Sequence, residues 1–126
     1  MNVCEWGTRA GVAAAAAPAA EVPTPAPSAA PTPVEIELLM RRGQRLLEVG
    51  DVVAARLFFE PLADGGHIPA ATALAKTHDP LYLAAIGARG VRPDPARAVL
   101  LYRRASAAGD AEAADRLHRL LARFPQ

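Results

Sequence analysis

This chain of 126 residues contains little cysteine and few aromatic residues, and its basic and acidic residues are almost equal in number. The single cysteine, Cys4, excludes an intrachain disulfide. Aromatic residues make up only 5% of the sequence, so any core has to be built mainly from leucine and small side chains. Fourteen basic residues are balanced by thirteen acidic ones, which gives no electrostatic reason to expect nucleic acid as a partner. No stretch approaches the roughly 20 apolar residues of a membrane span, so we predict none.

Residues 1–33 differ in composition from the rest of the chain. They contain six of the twelve prolines and are rich in alanine. Such a segment offers little large apolar surface to offset the entropy of ordering, so we predict a disordered tail or linker before a folded domain over residues 34–126. The alanine-rich stretch at 10–20 matches a secretory signal poorly. A cytoplasmic location is therefore slightly favoured, with the envelope or periplasm as the alternative.

An internal repeat is visible at an offset of 43 residues. Identical or similar residues recur at helical spacings, and a shared glycine separates the two halves of each copy. The matched pairs are Asp51 and Asp94, Ala55 and Ala98, Leu57 and Leu100, Phe59 and Tyr102, Gly66 and Gly109, Ala70 and Ala113, and Leu74 and Leu117. The pattern predicts helix–turn–helix units.

Local start and stop signals predict where the helices lie. Asp51, Asp79 and Asp94 are suited to N-cap positions, and two of them precede a proline that is tolerated in the first helical turn. Pro61 should kink its helix or end it early, because proline removes a backbone hydrogen bond. No stretch shows the alternation of a strand, so we predict an all-α fold. The expected helices span residues 34–49, 52–64, 68–77, 80–88, 95–107 and 111–123.

The second copy of the repeat, "GVRPDPARAVLLYRRASAAGDAEA", resembles the tetratricopeptide-like helical repeats and, within them, the Sel-one-like branch. This resemblance covers roughly residues 35–124 and implies a short α/α solenoid of about two helix-turn-helix repeats with a C-terminal capping helix. A departure is the segment 79–90, which looks like an insertion. The positions that carry the resemblance are Gly90, Val91, Asp94, Arg97, Ala98, Tyr102, Ala105, Gly109 and Ala113.

Residues that could carry chemistry are few. His67, His78 and His118 are the obvious candidates, but none stands at a recognised ligand spacing from another metal-binding residue. The glycine-containing stretches at 65–66 and 87–90 lack the sequence pattern and the lysine of a phosphate-binding loop. We therefore predict no catalytic residue, no metal site and no cofactor, and expect that the chain is not an enzyme.

The resemblance also implies where a partner would bind. In tetratricopeptide-like arrays the first helix of each pair lines a concave groove that holds peptides or partner helices. Carried over by position, the groove would be lined by Glu37, Met40, Gln44, Glu48, Thr72 and Lys76. The first helix has no cap before it, so Leu38 and Leu39 should form an exposed apolar end that binds a second copy, a partner helix or an upstream repeat.

Two functions follow as hypotheses. The leading one is a non-catalytic adaptor or scaffold that binds a protein or peptide. The alternative is a C-terminal structural or regulatory remnant of a larger membrane-anchored or envelope-associated protein or enzyme.

Overall fold

The computed structural model of the protein describes residues 30–126, and within that range it contains six α-helices and no strand. The predicted all-α class is therefore confirmed. The predicted tail lies, up to residue 29, outside the described residues. The helices are α1 (Pro33–Glu48), α2 (Val52–Asp64), α3 (Ile68–His78), α4 (Pro80–Ala85), α5 (Pro95–Ala107) and α6 (Ala111–Arg123).

Aspartate side chains start four of these helices. Asp51, Asp79, Asp94 and Asp110 each accept a hydrogen bond from a backbone N–H in the first turn of the helix that follows. α1 instead begins with a capping box, in which the side chain of Thr32 and that of Glu35 bond each other's backbone N–H. The predicted caps at Asp51, Asp79 and Asp94 are confirmed.

Each long helix packs on the next one along the chain. α1 packs on α2, α2 on α3, α3 on α5 and α5 on α6, while the short α4 contacts α3. α3 lies in the middle of this series, and most of its residues are therefore buried. Its high alanine content allows backbones to approach from both sides.

Small residues lie where helices cross. Ala55 and Ala98 have no solvent-exposed surface, and the same holds for Ala70 and Ala113. The backbone of α1 comes still closer to α2 at Gly43, because a Cβ atom added there would lie 2.5 Å from a ring carbon of Phe59. The large side chains of Phe59, Tyr102, Leu74 and Leu120 fill the space around these crossings.

One expectation about α2 and the predicted end of α4 differ from the structure. α2 spans Val52–Asp64, as predicted, but it continues through Pro61, so of the expected kink or early end the early end is wrong. Pro61 is exposed, whereas the next two residues, Leu62 and Ala63, are buried, and their packing holds the last turn in place. α4 ends at Ala85 rather than residue 88, since Gly87 adopts a left-handed backbone conformation with a φ of 68°.

Candidate functional site

A groove runs along α1 on the side that faces α3. Its first part lies beside the start of α3 and has a volume of about 590 Å³. Its second part lies beside the end of α3 and α4 and has a volume of about 460 Å³. Both parts share Gln44, so they form one surface, which we call the α1–α3 groove. The first part is lined by Pro33, Ile36, Glu37, Met40, Arg41, Gln44, His67 and Pro69. The second is lined by Gln44, Leu47, Glu48, Gly50, Lys76, Tyr82 and Ile86.

Five of the six residues that we predicted for partner binding line this groove. They are Glu37 and Met40 in the first part, Glu48 and Lys76 in the second, and Gln44 in both. The side chains of Glu37, Gln44 and Glu48 are exposed, whereas Met40 is almost buried and forms part of the floor. The two ends differ in character, because the first has an apolar floor and the second is charged.

Thr72 does not line the groove, and the prediction for this residue is wrong. It is only 3% exposed, because the start of α6 covers it. Its hydroxyl donates a 2.6 Å hydrogen bond to Oδ2 of Asp110, the N-cap of α6. This bond is the main reason that the pKa of Asp110 lies below its ordinary value. Thr72 therefore joins α3 to α6 instead of facing a partner.

The charged end of the groove is already organised by ion pairs. Nζ of Lys76 lies 3.1 Å from Oε2 of Glu112, and Nε of Arg116 lies 2.9 Å from the same oxygen. Burial tends to raise the pKa of Glu112, but these two cationic donors outweigh it and hold the pKa below its ordinary value. Lys76 and Arg116 also lie over the ring of Tyr82, at 5.5 Å and 5.2 Å from its centroid. A partner that binds here would contact positively charged side chains and an aromatic ring that are already held in place.

Asp79 and Tyr102 form a buried pair at the start of α4. The Tyr102 hydroxyl donates a 2.8 Å hydrogen bond to Oδ2 of Asp79, while Oδ1 of Asp79 accepts one from the backbone N–H of Leu81. Burial raises the pKa of Tyr102, and the hydrogen bond to Asp79 raises it further. The hydroxyl therefore keeps its proton at neutral pH, and the pair fastens the start of α4 to α5. Our sequence reasoning identified Asp79 only as a cap.

Arg56 of α2 makes a second, partly buried connection that the sequence pattern did not indicate. Its Nη2 donates to the carbonyl oxygens of Thr77, at 2.5 Å, and Arg92, at 3.3 Å. These bonds satisfy backbone oxygens at the end of α3 and in the loop before α5. Burial lowers the pKa of Arg56.

His78 lies next to this guanidinium. Its Nδ1 is buried and has no hydrogen-bond partner among the described residues. Burial, together with the positive charges of Arg56 and Arg97, lowers the pKa of His78 to about 4. The imidazole is therefore neutral at physiological pH. Of the other two histidines, His67 borders the groove and His118 is exposed on α6.

Residues 30–126 contain no group of three histidine, cysteine, aspartate or glutamate side chains placed to hold a metal ion. In the same range, no helix has both the length and the apolar content required to cross a membrane. Comparisons of the chain with protein-family models, with curated proteins and with solved structures found no match.

Proposed function

We propose that this chain is a non-catalytic interaction module of the tetratricopeptide-like, Sel-one-like type, and that the α1–α3 groove binds a peptide or a partner helix. The observation that carries the proposal is the continuity of the groove past Gln44, with five predicted residues along it. Each part of the groove has a volume within the range of about 300–1,000 Å³ that is usual for binding sites.

The side chains of the groove suit a peptide with an apolar end and a polar end. At the first part, Met40 and the neighbouring Ile36 offer an apolar floor for a side chain. Midway, the exposed amide of Gln44 can donate to and accept from a peptide backbone. At the second part, Glu48 and Lys76 present opposite charges. A partner that aligns with all three would be bound in one direction only.

The roles of the buried polar groups support a non-catalytic function. General acid–base catalysis requires a group that reaches the substrate and titrates near the working pH. The Tyr102 hydroxyl is buried and its pKa is raised well above neutral pH. Asp79 uses both carboxylate oxygens to hold Tyr102 and the first turn of α4. These groups stabilise the helices around the groove.

A peptide-display selection on the full-length chain tests the proposal. Peptides enriched on the wild type should lose binding to Gln44→Arg, because the longer charged side chain blocks the junction of the two parts. They should also bind Glu48→Lys more weakly. Asp64→Lys is the matched control, since it reverses an exposed acidic residue at the end of α2 that does not line the groove. Enriched peptides that bind all four proteins equally would show that the groove is not the site.

A further inference from the structure

A second surface lies on a different side of α1 from the groove. We call it the basic end face and define it by Leu38, Arg42, Arg45 and Leu46 of α1 and Ala54 and Phe58 of α2. At 100° of rotation per residue, Leu38 and Arg42 are more than 100° around α1 from Met40 and Gln44. Among the described residues, no helix other than α2 packs closely on α1.

The floor of the basic end face is apolar. Leu46, Ala54 and Phe58 are half-buried and line a depression of about 470 Å³ between α1 and α2. Beside it, Leu38 is 48% exposed and borders a smaller depression of about 250 Å³. The two depressions share Arg42 and Arg45 and therefore adjoin. Covering this apolar surface would release the water in contact with it, which favours binding.

The rim of the basic end face carries positive charge without a partner. Arg42 and Arg45 are exposed, and neither forms an ion pair or a side-chain hydrogen bond among residues 30–126. Arg41, at the border with the groove, lies 3.8 Å from Glu37. Asp51, the acidic residue at the start of α2, is engaged as the N-cap and accepts from Ala54 N at 3.1 Å. A surplus of two positive charges therefore borders the apolar floor.

We propose that the basic end face binds an acidic amphipathic helix of another protein. A shallow apolar depression between two helices suits a third helix that inserts residues at i, i+3, i+4 and i+7. Glutamate or aspartate beside those residues would pair with Arg42 and Arg45, and this complementarity would select the partner.

A second copy of the chain fits this surface less well. Two basic end faces packed about a twofold axis would place Arg42 and Arg45 opposite the same arginines. A head-to-tail contact would bring them to α6, where Arg119 is already paired with Asp115 and the exposed Arg123 leaves a surplus of positive charge. Either arrangement opposes like charges, which disfavours association.

Leu38, rather than Leu39, is the leucine that tests this surface. Leu39, which we predicted to be part of the exposed apolar end, is partly buried against the core. A charge at Leu39 would therefore perturb folding as well as binding. Leu38 and the two arginines are exposed, so substitutions there leave the core intact.

Fluorescence anisotropy with three synthetic helices of about five turns would test the proposal on the full-length chain. The acidic probe carries leucines at i, i+3, i+4 and i+7 and glutamates beside them. A second probe replaces the glutamates with lysines, and a third replaces the leucines with serines. Only the acidic leucine probe should bind, and its affinity should fall as salt is added.

Charge-reversal variants locate the binding. The double variant Arg42→Glu/Arg45→Glu should weaken the acidic probe about tenfold or more, a change of about 1.4 kcal/mol or more in binding free energy. Leu38→Ser should weaken it as well. The control is Arg103→Glu/Arg123→Glu, which makes the same change in charge at exposed sites on α5 and α6 and should bind as the wild type does.

Three results would overturn the proposal. One is equal binding of the acidic and lysine probes, and another is equal weakening by the two double variants. The third is a wild-type dimer in sedimentation that dissociates in Arg42→Glu/Arg45→Glu, because this face would then join two copies of the chain. The probes bind away from Gln44, so a result that contradicts peptide binding in the α1–α3 groove would leave this test unchanged. A Gln44→Arg protein should still bind the acidic probe.

Discussion

Replacing Gly43 by alanine tests the closest helix contact in the protein. The added methyl carbon would lie 2.5 Å from Cε1, 2.7 Å from Cζ and 3.0 Å from Cδ1 of Phe59. Carbon atoms in contact normally lie about 3.5–4.0 Å apart, so the ring or the helix has to move by about 1 Å. Phe59 has no exposed surface, and the surrounding core leaves it little room to do so.

Two effects of the Gly43→Ala substitution oppose each other. Alanine favours a helix interior over glycine by about 1 kcal/mol. Overpacking of a filled core costs about 1–3 kcal/mol, and contacts this short belong at the upper end of that range. We therefore expect the free energy of unfolding to fall by about 1–2 kcal/mol. In a domain of this size, each kcal/mol lowers the melting temperature by about 4–8 °C.

Urea unfolding followed by far-ultraviolet circular dichroism measures this change. The midpoint should fall while the slope stays constant, because the surface exposed on unfolding is unaltered. Gln44→Ala is the control, since the exposed neighbour gains helix propensity without touching Phe59, and its stability should stay within about 0.5 kcal/mol of the wild type.

A double-mutant cycle shows whether the ring itself is responsible. In the Phe59→Leu background the shorter side chain leaves room for the methyl group, so Gly43→Ala should cost less there, with a coupling energy of about 0.5–3 kcal/mol. A Gly43→Ala protein that is more stable than the wild type, or a coupling energy of zero, would refute this packing of α1 on α2.

Three further substitutions test a buried hydrogen bond, the proline within α2 and a histidine with a lowered pKa. Tyr102→Phe should lower the free energy of unfolding by about 1–3 kcal/mol, because it leaves an oxygen of the buried Asp79 without its donor, and an unchanged urea midpoint would contradict the pair. Pro61→Arg should raise the melting temperature, since it restores a backbone hydrogen bond in an exposed turn, although the greater freedom of the unfolded chain limits the gain to about 1–2 kcal/mol. His78 binds its proton with a pKa of about 4 in the folded chain against an ordinary 6.5, so the unfolded chain takes up the proton first. Stability should therefore be lost as the pH falls from about 6.5 to about 4, by about 1–2 kcal/mol once solvent screening is allowed for, and His78→Gln should remove this loss. The exposed His118→Gln is the control, and a loss that persists in His78→Gln would assign it to other groups.

The helix boundaries could be predicted because their signals are local. An aspartate such as Asp94 caps the turn that follows it, and this requires only residues within three positions. Pro61 led to a wrong prediction because the backbone hydrogen bond that it removes is a local loss. The packing that compensates for this loss involves residues on other helices. Leu62 and Ala63 keep the last turn of α2 helical by packing on other helices, which a pattern of spacing along one helix does not contain.

The groove residues on α1 could be predicted better than those on α3 for a related reason. α1 has a polar side that separates Gln44 and Glu48 from the core, whereas α3 is packed on both α2 and α5 and has almost no polar side. On such a helix, spacing does not indicate which residue faces solvent. Thr72 is buried beside Asp110, and because that partner lies 38 residues further along the chain, local spacing does not reveal the contact.

The difference between Phe59 and Tyr102 in the sequence indicates that a polar group is buried in the core. The two residues occupy matched positions at the offset of 43, and both are fully buried, but only Tyr102 has a hydroxyl that needs an acceptor. Asp79 supplies it and also caps α4. Because α4 carries Tyr82 to the charged end of the groove, this buried pair holds in place the helix that supplies one wall of a surface that neither residue lines. A loss of Tyr102 should therefore weaken the proposed peptide binding at that end before it unfolds the protein.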